Sequence, residues 1–279
     1  MKSPKIRKEY PGGKRLSFLD SFRGLAIFLM VLFNALGNYE SVPAFLKHAQ
    51  WSGFTIVDLV VPMFLFAMGF AYELSFKRRL LLHGKTLTIL HFVRRNFLIF
   101  IIGLSCALAE ILMIQQNSTG WGVLQTLGAC GIFSLAFMFI KHRLRVLIAF
   151  ILLIAYQIGI LLGLNWLILI FIKSGLGGPF ATISWAFILI FASTMVGLFK
   201  KDNFNEIMKK SVLFGTILTI VAILSSFIVP VSKDFVSISY ILLTTGLCLY
   251  IILFFYILNE LLNFHVSIIE KICQNNLDF

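Results

Sequence analysis

The stretch Phe180-Ala-Thr-Ile-Ser-Trp-Ala-Phe-Ile-Leu-Ile-Phe-Ala-Ser-Thr-Met-Val-Gly-Leu-Phe199 carries no charged side chain and stops at Lys200-Lys201. At 1.5 Å per residue a helix of this length is about 30 Å long, the thickness of a bilayer's hydrocarbon core. Gly177-Gly178-Pro179 comes just before it and punctuates the chain there. The segment reads as a membrane span, and the pattern recurs. Eight spans are expected, at roughly 22–38, 55–76, 96–114, 122–140, 144–163, 180–199, 210–229 and 237–262. Composition agrees, for 59% of the 279 residues are hydrophobic and only 13% are charged. A soluble domain is usually about 25% charged. A soluble enzyme, a secreted disulfide scaffold and a disordered chain are thereby excluded. The expected fold class is all-α, a polytopic membrane helical bundle.

The net charge of +12 belongs to the membrane. With the N-terminus inside, 21 of the 24 Lys and Arg fall in inner segments, and only Lys47, Lys173 and Lys233 lie in outer loops. That split follows the positive-inside rule and gives an N-in, C-in, multi-pass topology in the cell membrane. No nucleic-acid partner is expected. Trp51, Trp121, Trp166 and Trp185 are expected at outer span ends, where amphipathic rings favour the headgroup zone. The basic start followed by an apolar run lacks a small-residue cleavage site, so it reads as an uncleaved first helix. Residues 1–21 are expected to form a basic cytoplasmic segment, 22–262 the transmembrane bundle and 263–279 a cytoplasmic C-terminal segment. Residues 164–179 read as a structured outer loop whose apolar part, Leu167 to Ile172, is too short to span. Cys106, Cys130, Cys248 and Cys273 form no CxxC pattern, so they are expected in the core, without a zinc site.

Polar residues at membrane depth cost free energy unless they are paired or functional. Arg23 and Asn34 share one face of the first helix, about 20° apart around its axis. Asp58, Pro62, Phe66, Gly69 and Glu73 form a stripe on the second. His48, Asn34 and Asp58 are thus expected to converge at the outer face, and Arg23 and Glu73 at the inner one. Each also has a plainer reading. Thr55-Ile-Val-Asp58 fits a capping box, with the carboxylate complementing the helix dipole. His48 suits an ordinary surface loop, and Arg23, Arg94 and Arg95 suit the positive-inside rule. Asn34, Gln125 and Gln157 suit interhelical hydrogen bonds.

The order of residues adds a further signal. Arg15-Leu-Ser-Phe-Leu-Asp20-Ser-Phe-Arg23-Gly24, followed by Met30 and Asn34, resembles the first helix of the heparan-alpha-glucosaminide N-acetyltransferase family. Lys47-His48-Ala-Gln-Trp51-Ser-Gly53-Phe-Thr55 and Asp58-Leu-Val-Val-Pro62-Met-Phe64-Leu-Phe66, then Gly69, are similar to its His-to-Trp loop and second-helix start. Gly122-Val-Leu-Gln125-Thr-Leu-Gly128 is similar to its fourth-helix motif. Pro230-Val-Ser-Lys233, with Ser239-Tyr240 and Thr244-Thr-Gly246, is similar to a later one. Thr126 stands where the family usually has Arg, and Ser52 and Val61 replace a commoner Asn and Phe. The resemblance suggests a short member of bacterial or archaeal type. It also implies further helices beyond Phe279, so the member is short or the sequence is a piece of a longer one.

The resemblance implies acetyl transfer from cytosolic acetyl-CoA to an amino sugar or glycan on the other side. It carries the catalytic histidine to His48, its neighbouring asparagine to Asn34 and the second-helix aspartate to Asp58. The chemistry suits these residue types. A neutral imidazole can take a proton or the acetyl group itself, and an amide can stabilise a thioester oxyanion. Arg23, Arg94 and Arg95 are expected to hold the CoA phosphates, with Gln125 also on the donor path. Membrane lipids and a second copy, as a homodimer, complete the expected partners; no metal is expected. An O-acyltransferase of surface polysaccharide and a transporter are the competing classes. The latter usually shows repeats and broken midplane helices, and neither is visible.

Overall fold

The computed structural model describes residues 16–36, 43, 46–49, 52–114, 120–171, 175–199 and 203–261. Among them are eight α-helices and no strand: α1 (Ser17–Leu36), α2 (Val60–Ile114), α3 (Val123–Leu135), α4 (His142–Gly159), α5 (Trp166–Leu169), α6 (Gly178–Phe199), α7 (Phe204–Ser226) and α8 (Ile238–Tyr256). A 3-10 turn, Ile56–Leu59, leads into α2. Six helices are long and apolar enough to cross a bilayer. The chain is a polytopic helical membrane protein.

The 55 residues of α2 are not one rod, because Gly84 adopts φ 75°, ψ −179° in their midst. Only glycine takes such a conformation readily. The two arms fold back on each other. The Tyr72 and Phe92 rings meet with centroids 4.4 Å apart, tilted by 48°, and the Asn96 amide donates to the Tyr72 hydroxyl at 3.1 Å. Tyr72 and Asn96 lie equally far from Gly84 in sequence, as a hairpin requires. The hairpin therefore supplies the expected second and third spans. The expected span 122–140 is a 13-residue helix, α3, continued by turns through residue 139.

Helix α6 is the centre of the bundle, buried along nearly its whole length, with α2, α3 and α4 packed around it. Its approach to α2 is close: a Cβ at Gly69 would meet the Leu189 carbonyl oxygen at 2.4 Å. That central position corrects the expectation for Trp185. The ring is wholly buried, and its indole donates to the Leu176 carbonyl at 3.0 Å. It is a core anchor rather than a headgroup residue. Trp166, by contrast, is exposed, as a headgroup residue would be. Cys130 and Cys248 are core, whereas Cys106 is exposed. Trp51 and Cys273 lie outside the described residues.

Candidate active site

Asp58 organises the end of the bundle that the positive-inside rule predicts to face outward, called the outer end below, the opposite one being the inner end. Its carboxylate is 1% exposed, and its two oxygens have separate tasks. Oδ2 accepts from the Thr55 backbone N–H at 3.2 Å, from the Thr55 hydroxyl at 2.9 Å and from the Ala49 N–H at 3.3 Å. These bonds cap the turn that opens α2, as the Thr55–Asp58 spacing implies. Oδ1 is spared for other partners. It lies 2.8 Å from Nδ1 of His48 and 3.5 Å from Nζ of Lys233. Capping of the helix start and contact with His48 thus go together at Asp58, one oxygen for each.

His48 is held at Nδ1 alone, and its side chain is 60% exposed. Among the described residues Nε2 is uncommitted. When Nδ1–H donates to the carboxylate, Nε2 carries the lone pair, and this is the tautomer a general base needs. Lys233 approaches the same Nδ1 to 3.1 Å, and the ring cannot donate there and accept there at once. Burial pushes the Lys233 ammonium below the ordinary lysine range, against the pull of the Asp58 carboxylate. Burial likewise raises Asp234, with Lys233 opposing.

Two further contacts fasten this end. The Tyr240 hydroxyl donates to the Asp58 carbonyl at 2.6 Å, and the Gly53 N–H donates to the Val231 carbonyl at 2.8 Å. The α7–α8 loop is thereby tied to the loop that carries His48. Sequence reasoning leaves Lys233 out of the site, although the residue stands in a motif quoted for the resemblance.

Asn34 lies at the outer end of α1, exposed and without a hydrogen bond to another described residue. Its neighbour Phe33 packs on Val57 and Val60, with Leu46 against them. The end of α1 is thus set beside both the start of α2 and the His48 loop. Gln125 is engaged locally: its Oε1 accepts from the Gly122 N–H at 3.0 Å, and its Nε2 donates to the Gly120 carbonyl at 3.1 Å. It caps its own helix where an interhelical bond was expected. Gln157 does bond across helices, to the Ile238 N–H at 3.0 Å.

At the inner end Arg23 lies 3.9 Å from Asp20 and within electrostatic reach of Arg95. Arg94 and Arg95 are exposed. The Glu73 carboxylate is held by another arginine. Arg145, 2% exposed, donates to Glu73 Oε2 at 2.7 Å, to Ser193 Oγ at 3.0 Å and to the carbonyls of Met138 and Ile140 at 2.8 and 3.1 Å. Lys77 reaches the other Glu73 oxygen at 2.7 Å.

Residues 15–227 match the family described as "Heparan-alpha-glucosaminide N-acetyltransferase, catalytic". Two similar proteins carry the name heparan-alpha-glucosaminide N-acetyltransferase. That of Mus musculus is 38% identical over 136 residues, covering 45% of this chain and 19% of the relative. That of Homo sapiens is 46% identical over 61 residues, covering 22% of this chain and 9% of the relative. The matched stretches thus span less than a fifth of those relatives' own length.

Proposed function

Because this chain belongs to the heparan-alpha-glucosaminide N-acetyltransferase catalytic family, we propose that it is a membrane N-acetyltransferase. In this reading it moves an acetyl group from cytosolic acetyl-CoA to the amine of a sugar or glycan at the outer face of the cell membrane. The observation that carries the reading is the 2.8 Å contact from buried Asp58 to an exposed His48 whose Nε2 is uncommitted.

Asp58 accepts from Nδ1–H and so fixes the ring and its tautomer. Nε2 takes a proton from the acceptor ammonium, and the freed amine bonds to the thioester carbonyl carbon. The C–S bond breaks and CoA leaves as the thiolate, the imidazolium returns its proton to that thiolate, and the new amide nitrogen releases its second proton to solvent. In the two-step variant Nε2 itself takes the acetyl group before the amine does. Asn34, on α1 beside the His48 loop, offers an N–H donor to the thioester oxygen as charge develops there. Arg23 and Arg95, close together near the inner end, suit the CoA phosphates as a cationic cradle, with Arg94 beside them. Gln125 borders the path near the outer end. The hydrocarbon layer is about 30 Å thick, so the pantetheine arm would run between helices from the inner arginines toward His48.

The test is transfer of labelled acetyl from acetyl-CoA by the purified full chain. Its acceptors are a panel of glucosamine-containing glycans, with N-acetylated and amine-free sugars beside them. Transfer confined to free amines, and lost in His48→Ala, is expected. Transfer to hydroxyls alone overturns the N-acetyl assignment. Undiminished transfer in folded His48→Ala overturns the centre.

A further inference from the structure

The loop that carries Lys233 is built against local preference. Val236 sits at φ 48°, a left-handed conformation costly for a β-branched residue. Its surroundings over-determine it. The Val236 N–H donates to the Lys233 carbonyl at 3.1 Å and the Ser237 N–H to the Ser232 carbonyl at 3.0 Å. The Ser232 N–H returns a bond to Ser237 Oγ at 3.0 Å. From α4 the Tyr156 hydroxyl holds the Phe235 carbonyl at 2.8 Å, and from α6 the Ser184 hydroxyl holds the Val236 carbonyl at 2.9 Å. This strained turn sets one ammonium, 12% exposed, beside the His48–Asp58 pair.

The charges around the ring explain its use. A carboxylate 2.8 Å from an imidazole favours the imidazolium, and an imidazolium cannot take a proton from an amine. Asp58 faces the ring from the turn before α2. Lys233 and Asp234 face it from the α7–α8 loop, Lys47 precedes it in its own loop, and Tyr240 of α8 meets Asp58 through its carbonyl. Lys233 is in contact with both partners, 3.1 Å from the ring and 3.5 Å from the carboxylate.

We infer that Lys233 is a positioning residue of the transfer site: its ammonium balances the Asp58 carboxylate, so that the carboxylate orients His48 without holding it protonated. The inference rests on the acetyltransferase reading given above. It explains why a lysine is desolvated at a place where its own burial is unfavourable.

Ring NMR of the full chain in detergent micelles reads the effect without turnover, with His48 signals identified by their loss in His48→Ala. In Lys233→Met the His48 titration midpoint moves to higher pH by about one unit. In Asp58→Asn it moves to lower pH, and the double variant Asp58→Asn/Lys233→Met returns toward the parent. Lys233→Arg keeps the parental midpoint. The ascending limb of the transfer pH profile follows the same order, with the high-pH plateau of Lys233→Met within a few-fold of the parent. An unmoved midpoint, or a plateau lost at every pH, reduces Lys233 to a structural role and overturns the inference. Should Lys233→Met alone not fold, comparing the double variant with Asp58→Asn decides the same question. The ring titration stands whatever the reaction is, so its failure is separable from failure of the transfer assay.

Discussion

The outer and inner ends of this bundle each gather cations around a buried carboxylate, and they use it differently. At the inner end both terminal nitrogens of Arg145 are committed, to Glu73, to Ser193 and to the carbonyls of the α3–α4 turn. The guanidinium joins α2, α4 and α6 and has no further donor in play but Nε. At the outer end Asp58 gives one oxygen to its own helix start and the other to a ring that is more than half exposed. The ingredients are similar. Among the described residues, one uncommitted nitrogen separates the clasp from a candidate reactive centre.

The largest effect expected is on the clasp. Arg145→Met leaves Glu73 buried without its main partner and should cost about 3–5 kcal/mol of stability, read by unfolding in detergent. Adding Glu73→Gln should recover much of that loss. Parent-like stability in Arg145→Met would erase the contrast between the two ends. His48→Ala should do the opposite, leaving stability within about 0.5 kcal/mol while transfer falls at least about a hundredfold.

Asp58→Asn tests both tasks of the carboxylate at once. A weakened cap should cost about 1 kcal/mol, and the transfer rate should fall, but by less than in His48→Ala. A loss equal to that of His48→Ala would make the tautomer, rather than the nitrogen, the limiting feature. Tyr240→Phe removes the hydroxyl that holds the Asp58 carbonyl. It should cost about 1 kcal/mol with only a few-fold change in rate.

The smallest effect concerns Asp234. Burial raises its carboxyl above the usual range, so the folded chain binds its proton more tightly than the unfolded chain. Its contribution is fully present below the ordinary aspartate value of 3.8 and is lost as pH rises through the raised value. Asp234→Asn should therefore raise the thermal midpoint at neutral pH, with the gain shrinking toward acid. A gain that is constant with pH would place its cause elsewhere.

What is legible in the sequence follows the range of the forces involved. Hydropathy acts along the chain, so the membrane spans and the Thr55–Asp58 cap can be read directly. His48 and Asp58 lie ten residues apart, and their motif order points to both. Lys233 lies 185 residues from His48, and charge counting ranks it simply among the outer lysines. Arg145 is absorbed by the positive-inside rule, although an arginine a turn into an apolar helix is the available clue. Trp185 misleads because its span end resembles an interface. Only packing reveals that α6 is enclosed on all sides.

The hairpin at Gly84 bears on how such a chain enters a bilayer. Asn96 is wholly buried, and its amide finds the Tyr72 hydroxyl on the opposite arm. Alone among acyl tails, the later arm would leave that amide only its own-helix bond to the Phe92 carbonyl, 2.8 Å, and its second N–H without a partner. Threaded beside its partner, it meets the hydroxyl at once. The turn has Lys77, Arg78, Arg79 and Lys85 around it, and by the positive-inside rule such a turn is expected on the side from which a nascent chain emerges. The arms are therefore best delivered together as one loop, and biogenesis becomes a constraint on which residues an arm can carry. Lengthening the turn should slow membrane integration before it alters the finished protein.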